Sequence, residues 1–111
     1  VPDTDAAMLI DREFLARQTF GDLELASELL GLFADQCRRL LPLIGEAARP
    51  LGERADFAHT LKGSALGVGA GRVAARASAV EDALRAGDAA VSTEALSEAV
   101  ADTLAALPAS S

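Results

Sequence analysis

Residues 22–45 read DLELASELLGLFADQCRRLLPLIG, and the spacing in this stretch decides the fold. Asp22 is suited to cap a helix, because its carboxylate can accept from the free N–H groups of a first turn. Behind it Ala26, Leu30, Phe33, Cys37, Leu40 and Ile44 recur at steps of three and four, drawing one apolar stripe. Pro42 is expected to bend or weaken the end of that helix, since it lacks an N–H and its ring crowds the preceding turn. Gly45 through Gly52, with Pro50 between, reads as the break to a third helix.

The same punctuation extends both ways. Upstream, Asp11 reads as the cap of a short helix over about 11–19 that ends before Phe20-Gly21. Residues 1–9, with Pro2, Thr4 and Asp5, read as a lead-in, so the folded domain is taken as 10–108. Downstream, a helix over about 51–66 is closed by Gly67-Val68-Gly69-Ala70-Gly71. A fourth, over about 71–86, carries Val73, Ala77, Val80 and Leu84 on one stripe. Gly87-Asp88 is another stop-and-start. A fifth helix then runs to about Leu107, its stripe being Thr93, Leu96, Val100, Thr103 or Leu104, and Leu107. No strand-like alternation competes with this pattern. Ala and Leu dominate, and both lose little on entering a helix. The expectation is an all-α fold: an antiparallel up-down-up-down four-helix bundle with a short N-terminal accessory helix.

At 111 residues the chain is one domain, and a hydrophobic content of 50% allows a core without disulfides or metals. A single cysteine, Cys37, forms no intramolecular disulfide and no cysteine-based zinc site. No run approaches the roughly 18 apolar residues of a membrane span, and no signal peptide is visible. A reduced cytoplasmic setting is expected. The net charge of −7 argues against nucleic acid, whose binders need a basic surface, and against basic amphipathic membrane binding.

The one His and the one Lys fall three residues apart, in His59-Thr60-Leu61-Lys62. In a helix they occupy neighbouring turns. On the wheel, Arg54, Phe57, Ala58, Leu61 and Ala65 share one side, and His59 lies nearly opposite with Lys62, Gly63 and Leu66 as neighbours. A neutral imidazole is a competent nucleophile near neutral pH. An ammonium one turn away can offset the charge of a phosphoryl group attached to it. A lone exposed His is most often a plain surface residue, but Gly63 inside a helix costs about 1 kcal/mol relative to Ala. That cost suggests a face kept clear for a bulky partner.

Glu81 joins by geometry. His59 lies eleven residues before Ala70 and Glu81 eleven after it, so in antiparallel helices rising about 1.5 Å per residue they reach the same height. Glu81 follows Val80 of the core stripe and flanks the interface. It can accept from Nδ1–H of His59 and leave Nε2 as the nucleophile; equally, it can form a surface ion pair with Arg85 four residues on.

The stretch Ala58-His59-Thr60-Leu61-Lys62-Gly63-Ser64-Ala65-Leu66-Gly67-Val68-Gly69-Ala70 resembles the signature of histidine-containing phosphotransfer (HPt) domains, written A-H-x-L-K-G-S-A-x-x-x-G-A, at every defined position. The resemblance runs from Ile10 to Leu107. It implies that His59 takes a phosphoryl group on Nε2 from an aspartyl phosphate of one response-regulator receiver domain and passes it to another. It further implies that Lys62 neutralises phosphoryl oxygens, that Gly63 leaves room for the receiver, and that Glu81 orients the His. Thr60, Gly63, Ser64 and Leu66, with side chains of the first two helices, form the expected partner-binding patch. Partners are receiver domains and a hybrid histidine kinase, with no nucleic acid or membrane, and the module is expected to be a monomeric phosphocarrier rather than an enzyme. No cofactor is implied, since Mg²⁺ belongs to the receiver. The link Ala48-Arg49-Pro50-Leu51-Gly52 departs from the Gly-Asp turn usual in the family.

Other chemistries fail on residue count. One His and one distant Cys are too few for a metal site. Gly67-Val68-Gly69 lacks the lysine and preceding strand of an ATP-binding loop, and a helical bundle rarely offers the oxyanion hole that a Ser-His-Asp hydrolase requires. Two alternatives stay open: a phosphoacceptor domain of a chemotaxis-type or hybrid histidine kinase, and a helical adaptor that transfers nothing.

Overall fold

A computed structural model describes residues 9–107, and among them five α-helices and no strand. These are α1 (Arg12–Gln18), α2 (Leu23–Ile44), α3 (Leu51–Val68), α4 (Gly71–Arg85) and α5 (Glu94–Ala105). The all-α reading is correct. Residues 1–8 of the lead-in and the boundary at Pro108 lie outside the described residues, whereas Leu9, the last residue assigned to the lead-in, is buried with the core.

The caps read from sequence are in place. The Asp11 carboxylate accepts from Phe14 N–H and the Asp22 carboxylate from Leu25 N–H, each at 3.0 Å. The α2 stripe is buried from Leu30 through Ile44. Pro42 does not end the helix early; α2 continues to Ile44, because a proline this near the C-terminus interrupts only the final turn.

Neighbouring helices pair antiparallel, as cross-contacts show. Between α2 and α3, Gln36 meets Ser64 and the Ile44 carbonyl meets Arg54. Between α3 and α4, Asp56 meets Arg85 and His59 meets Glu81. Between α4 and α5, Arg72 meets Asp102. The α3–α4 pair shares the most extensive interface, and α5 closes the bundle against α4 and α2. Small α3–α4 residues (Ala55, Ala58, Ala65, Ala74, Ala77) are buried there and permit close approach.

Two boundaries differ from expectation. Helix α3 runs two residues beyond Leu66, to Val68, and stops at Gly69 with φ +77°. That glycine is needed twice over: the left-handed cap favours it, and an added Cβ would lie 3.0 Å from the Asp11 carbonyl oxygen. Here Asp11 N–H donates to the Gly69 carbonyl at 2.9 Å, tying α1 across the top of α3. Helix α5 begins at Glu94 rather than directly after Gly87-Asp88. The Asp88 carboxylate accepts from Ala90 N–H and the Ser92 hydroxyl from Glu94 N–H, so local side-chain bonds hold residues 88–93 as a turn.

The unusual link before α3 is resolved by Arg49. Helix α3 starts after Pro50 without a side-chain cap. Arg49 instead bridges Glu46 and Glu53, at 2.8 and 3.3 Å, and lies over the Phe57 ring.

Candidate functional site

The buried stripe of α3 (Ala55, Ala58, Leu61, Ala65, Val68) turns His59 outward, and its side chain is 62% exposed. Across the α3–α4 interface Glu81 rises from the position after buried Val80, and its side chain is only 8% exposed. Its two oxygens divide three cationic or polar partners. Oε1 lies 3.0 Å from Lys62 Nζ, Oε2 lies 3.0 Å from Arg85 Nε, and His59 Nδ1 approaches both, at 3.3 and 3.1 Å. The two sequence alternatives for Glu81 are therefore both realised, with His59 and Arg85 meeting on Oε2 while Lys62 takes Oε1.

Electrostatics fix the protonation of this group. Burial pushes the Glu81 carboxyl upward, but hydrogen bonds from Lys62, Arg85 and His59 outweigh it and bring the pKa to about 2. Glu81 is thus an ionised, acceptor-only group. Nδ1 facing it must carry the proton, and in the neutral ring the lone pair is left on Nε2. The geometry presents a nucleophilic nitrogen on a convex helix face, with an anion behind the ring and an ammonium beside it.

The other sequence-predicted residues divide between two faces. Thr60 is exposed, and its hydroxyl donates to the Asp56 carbonyl at 3.0 Å. Gly63 is exposed, and an added Cβ there would meet nothing within 4 Å. Leu66 is an exposed leucine at the far end of the same face. Ser64 turns toward α2, donating to Gln36 Oε1 at 2.6 Å, and lines a shallow α2–α3 groove with Leu29, Leu32 and Phe33. Its hydroxyl is committed to α2 and not to the imidazole. Among the described residues, no group of three or more His, Cys, Asp or Glu is placed to hold a metal, and no helix is long and apolar enough to cross a membrane.

The family model of the Hpt domain matches residues 28–110, well over half of the chain. The chain belongs to the Hpt domain family. Hpt domains serve phosphotransfer in two-component signalling and work with receiver domains and kinases. Comparisons with curated proteins and with solved structures gave no match.

Sequence reasoning about this Hpt domain missed Gln36, Asp56 and the second role of Arg85. Arg85 was visible only as a helical neighbour of Glu81, yet its guanidinium also reaches Asp56 of α3 at 3.2 Å. Asp56, one turn before His59, carried the only signal, namely the (i, i+3) spacing. Two further exposed apolar residues, Phe20 and Leu23, stand at the α1–α2 corner, and Leu32 projects from α2. Phe20 takes φ +54° between the buried Thr19 and Gly21, a conformation that a sequence pattern does not disclose.

Proposed function

We propose that this Hpt domain carries a phosphoryl group on Nε2 of His59 between aspartates of receiver domains in a two-component phosphorelay. The observation that carries the reading is the buried, ionised Glu81 on Nδ1, which in the neutral ring selects the tautomer whose lone pair is on Nε2, on a side chain open to solvent. In the transfer step the Nε2 lone pair forms an N–P bond as the P–O bond to the receiver's aspartate breaks. The aspartate leaves as a free carboxylate, and the Nδ1 proton stays on the ring. The reverse step returns the group to a second receiver.

Lys62 supplies positive charge beside the incoming phosphoryl oxygens. Because His59 stands on a convex surface, the receiver brings the enclosing pocket and its Mg²⁺, and this chain acts as a carrier without an ATP site of its own. Docking is assigned to the apolar and small residues around His59: Thr60, Gly63 and Leu66, extended by Leu32 and the Ser64 groove. The setting we infer is cytoplasmic, and the working form a monomer.

The test is transfer from a phosphorylated receiver to wild type and to His59→Gln. Wild type is expected to take an acid-labile, base-stable label and the variant none. Binding of several receivers without any label on wild type would leave an adaptor role in its place.

A further inference from the structure

Glu81 is more heavily partnered than orientation of one imidazole requires. A single neutral donor at Nδ1 would suffice for that, yet two full cations also meet the carboxylate, one on each oxygen. Lys62 and Arg85 differ in how they are held. Lys62 Nζ has Glu81 as its ion-pair partner, whereas the Arg85 guanidinium is anchored at both ends, by Glu81 through Nε and by Asp56 through Nη2. A planar fork fixed at two points stays where it is, while a flexible ammonium on a four-carbon stem can turn to a new anion.

Phosphorylation creates that new anion one helical turn from Lys62. A phosphoryl group brings close to two negative charges and strong acceptor oxygens. Lys62 cannot serve it fully while bound to Glu81 Oε1. If Lys62 were the only cation on Glu81, its departure would leave a nearly buried carboxylate without a counter-charge, which is costly. With Arg85 in place, Oε2 keeps its ion pair and its contact with Nδ1 throughout.

We propose that Arg85 is a positioning residue that holds the Glu81 carboxylate against His59 while Lys62 shifts its charge from Glu81 to the phosphoryl group. The inference rests on the phosphocarrier reading and deepens it: Arg85 touches neither the phosphoryl group nor the reacting nitrogen, but it sets how far the phosphorylated state is favoured. The resting protein needs Arg85 little, because Lys62 still covers Glu81. The phosphorylated protein needs it fully.

The experiment measures the equilibrium of phosphoryl exchange between a phosphorylated receiver and five proteins: wild type, Arg85→Gln, Arg85→Lys, Glu81→Gln, and Arg85→Gln in the Glu81→Gln background. Circular dichroism checks that each is folded, which the half-exposed position of Arg85 favours. Removing the cation in Arg85→Gln is expected to move the equilibrium about tenfold toward the receiver, the scale of one charge-assisted hydrogen bond. Arg85→Lys should recover most of this. With a neutral residue at 81, Arg85→Gln should change nothing further, the signature of a coupled pair. Lys62 is the only lysine in the chain, so its ammonium resonance is unambiguous by NMR. That resonance should move on phosphorylation of wild type and remain near its resting position in Arg85→Gln. Equal equilibria for wild type and Arg85→Gln, or an equal shift of the Lys62 resonance in both, would overturn the proposal while leaving the phosphocarrier reading intact. A wild type that takes no label overturns both.

Discussion

Two buried charges, one on α3 and one facing it from α4, are neutralised in opposite ways. Arg54, in the first turn of α3, is 2% exposed and meets only backbone: its Nε donates to the Ile44 carbonyl at 2.7 Å and its Nη1 to the Ala89 carbonyl at 3.1 Å. Glu81, facing the middle of α3, is held only by side chains, three of them, and each is itself partly open to solvent. Backbone carbonyls at helix ends and turns have no other partner to go to, so Arg54 joins the end of α2 to the α4–α5 link as a fixed staple. Exposed side chains can exchange partners without unfolding anything. A buried charge tied to backbone marks a structural joint, whereas one tied to several part-exposed side chains can lose one partner, here Lys62, and keep another, here Arg85.

The sharpest way to break this contrast is Arg54→Met. It keeps bulk but leaves two carbonyls without a donor, and we expect a loss of about 2–3 kcal/mol. Denaturant unfolding of wild type and variant measures it. Phosphoryl acceptance per folded molecule should be unchanged, because nothing at His59 depends on the staple. A variant that unfolds no more easily than wild type would show that the carbonyls are satisfied without Arg54.

Glu81 gives the second test, through pH. Its pKa in the folded state is lowered to about 2 from the ordinary 4.5, so the unfolded chain binds the proton more readily. The stability contributed by Glu81 is present above pH 4.5 and is lost as pH falls from there through about 2. Glu81→Gln should flatten that acid limb while costing less than Arg54→Met at neutral pH. Urea midpoints compared across that range test it. An acid limb that stays as steep in the variant assigns the pH dependence to other carboxylates.

How much of this was legible beforehand follows from the same division. Acidic caps marked the starts of α1 and α2, and apolar periodicity marked α2 to α5, because period and capping are local properties of the chain. Arg54 fell on the apolar side of the wheel, so its burial was visible, but its carbonyl partners lie 10 and 35 residues away and left no trace. The His59–Glu81 pairing was legible because both sit the same number of residues from the α3–α4 turn. Arg85 as a bridge to Asp56 was not, since that needs the rotation of α4 about its axis as well as its height. The late start of α5 escaped for a simpler reason: Asp88 and Ser92 are good caps and good turn residues alike, and only packing decides between them.

Gly63→Ala yields the smallest effect and the cleanest separation of the two kinds of requirement. Gly63 lies inside α3 without a left-handed backbone, and an added Cβ touches nothing, so neither strain nor crowding explains the glycine. Folding alone would prefer alanine by about 1 kcal/mol. The variant should therefore be more stable than wild type in denaturant unfolding, by up to that amount. Its transfer rate from a phosphorylated receiver should nevertheless fall, because the methyl group stands on the His59 face one turn from the imidazole, where a partner must approach. Greater stability with slower transfer would mean that this stretch of α3 gives up stability to keep the approach to His59 open, the converse of what the Arg54 end does. Greater stability with unchanged transfer would instead move the receiver's footprint off Gly63, toward the Ser64 side of the helix and the α2 groove.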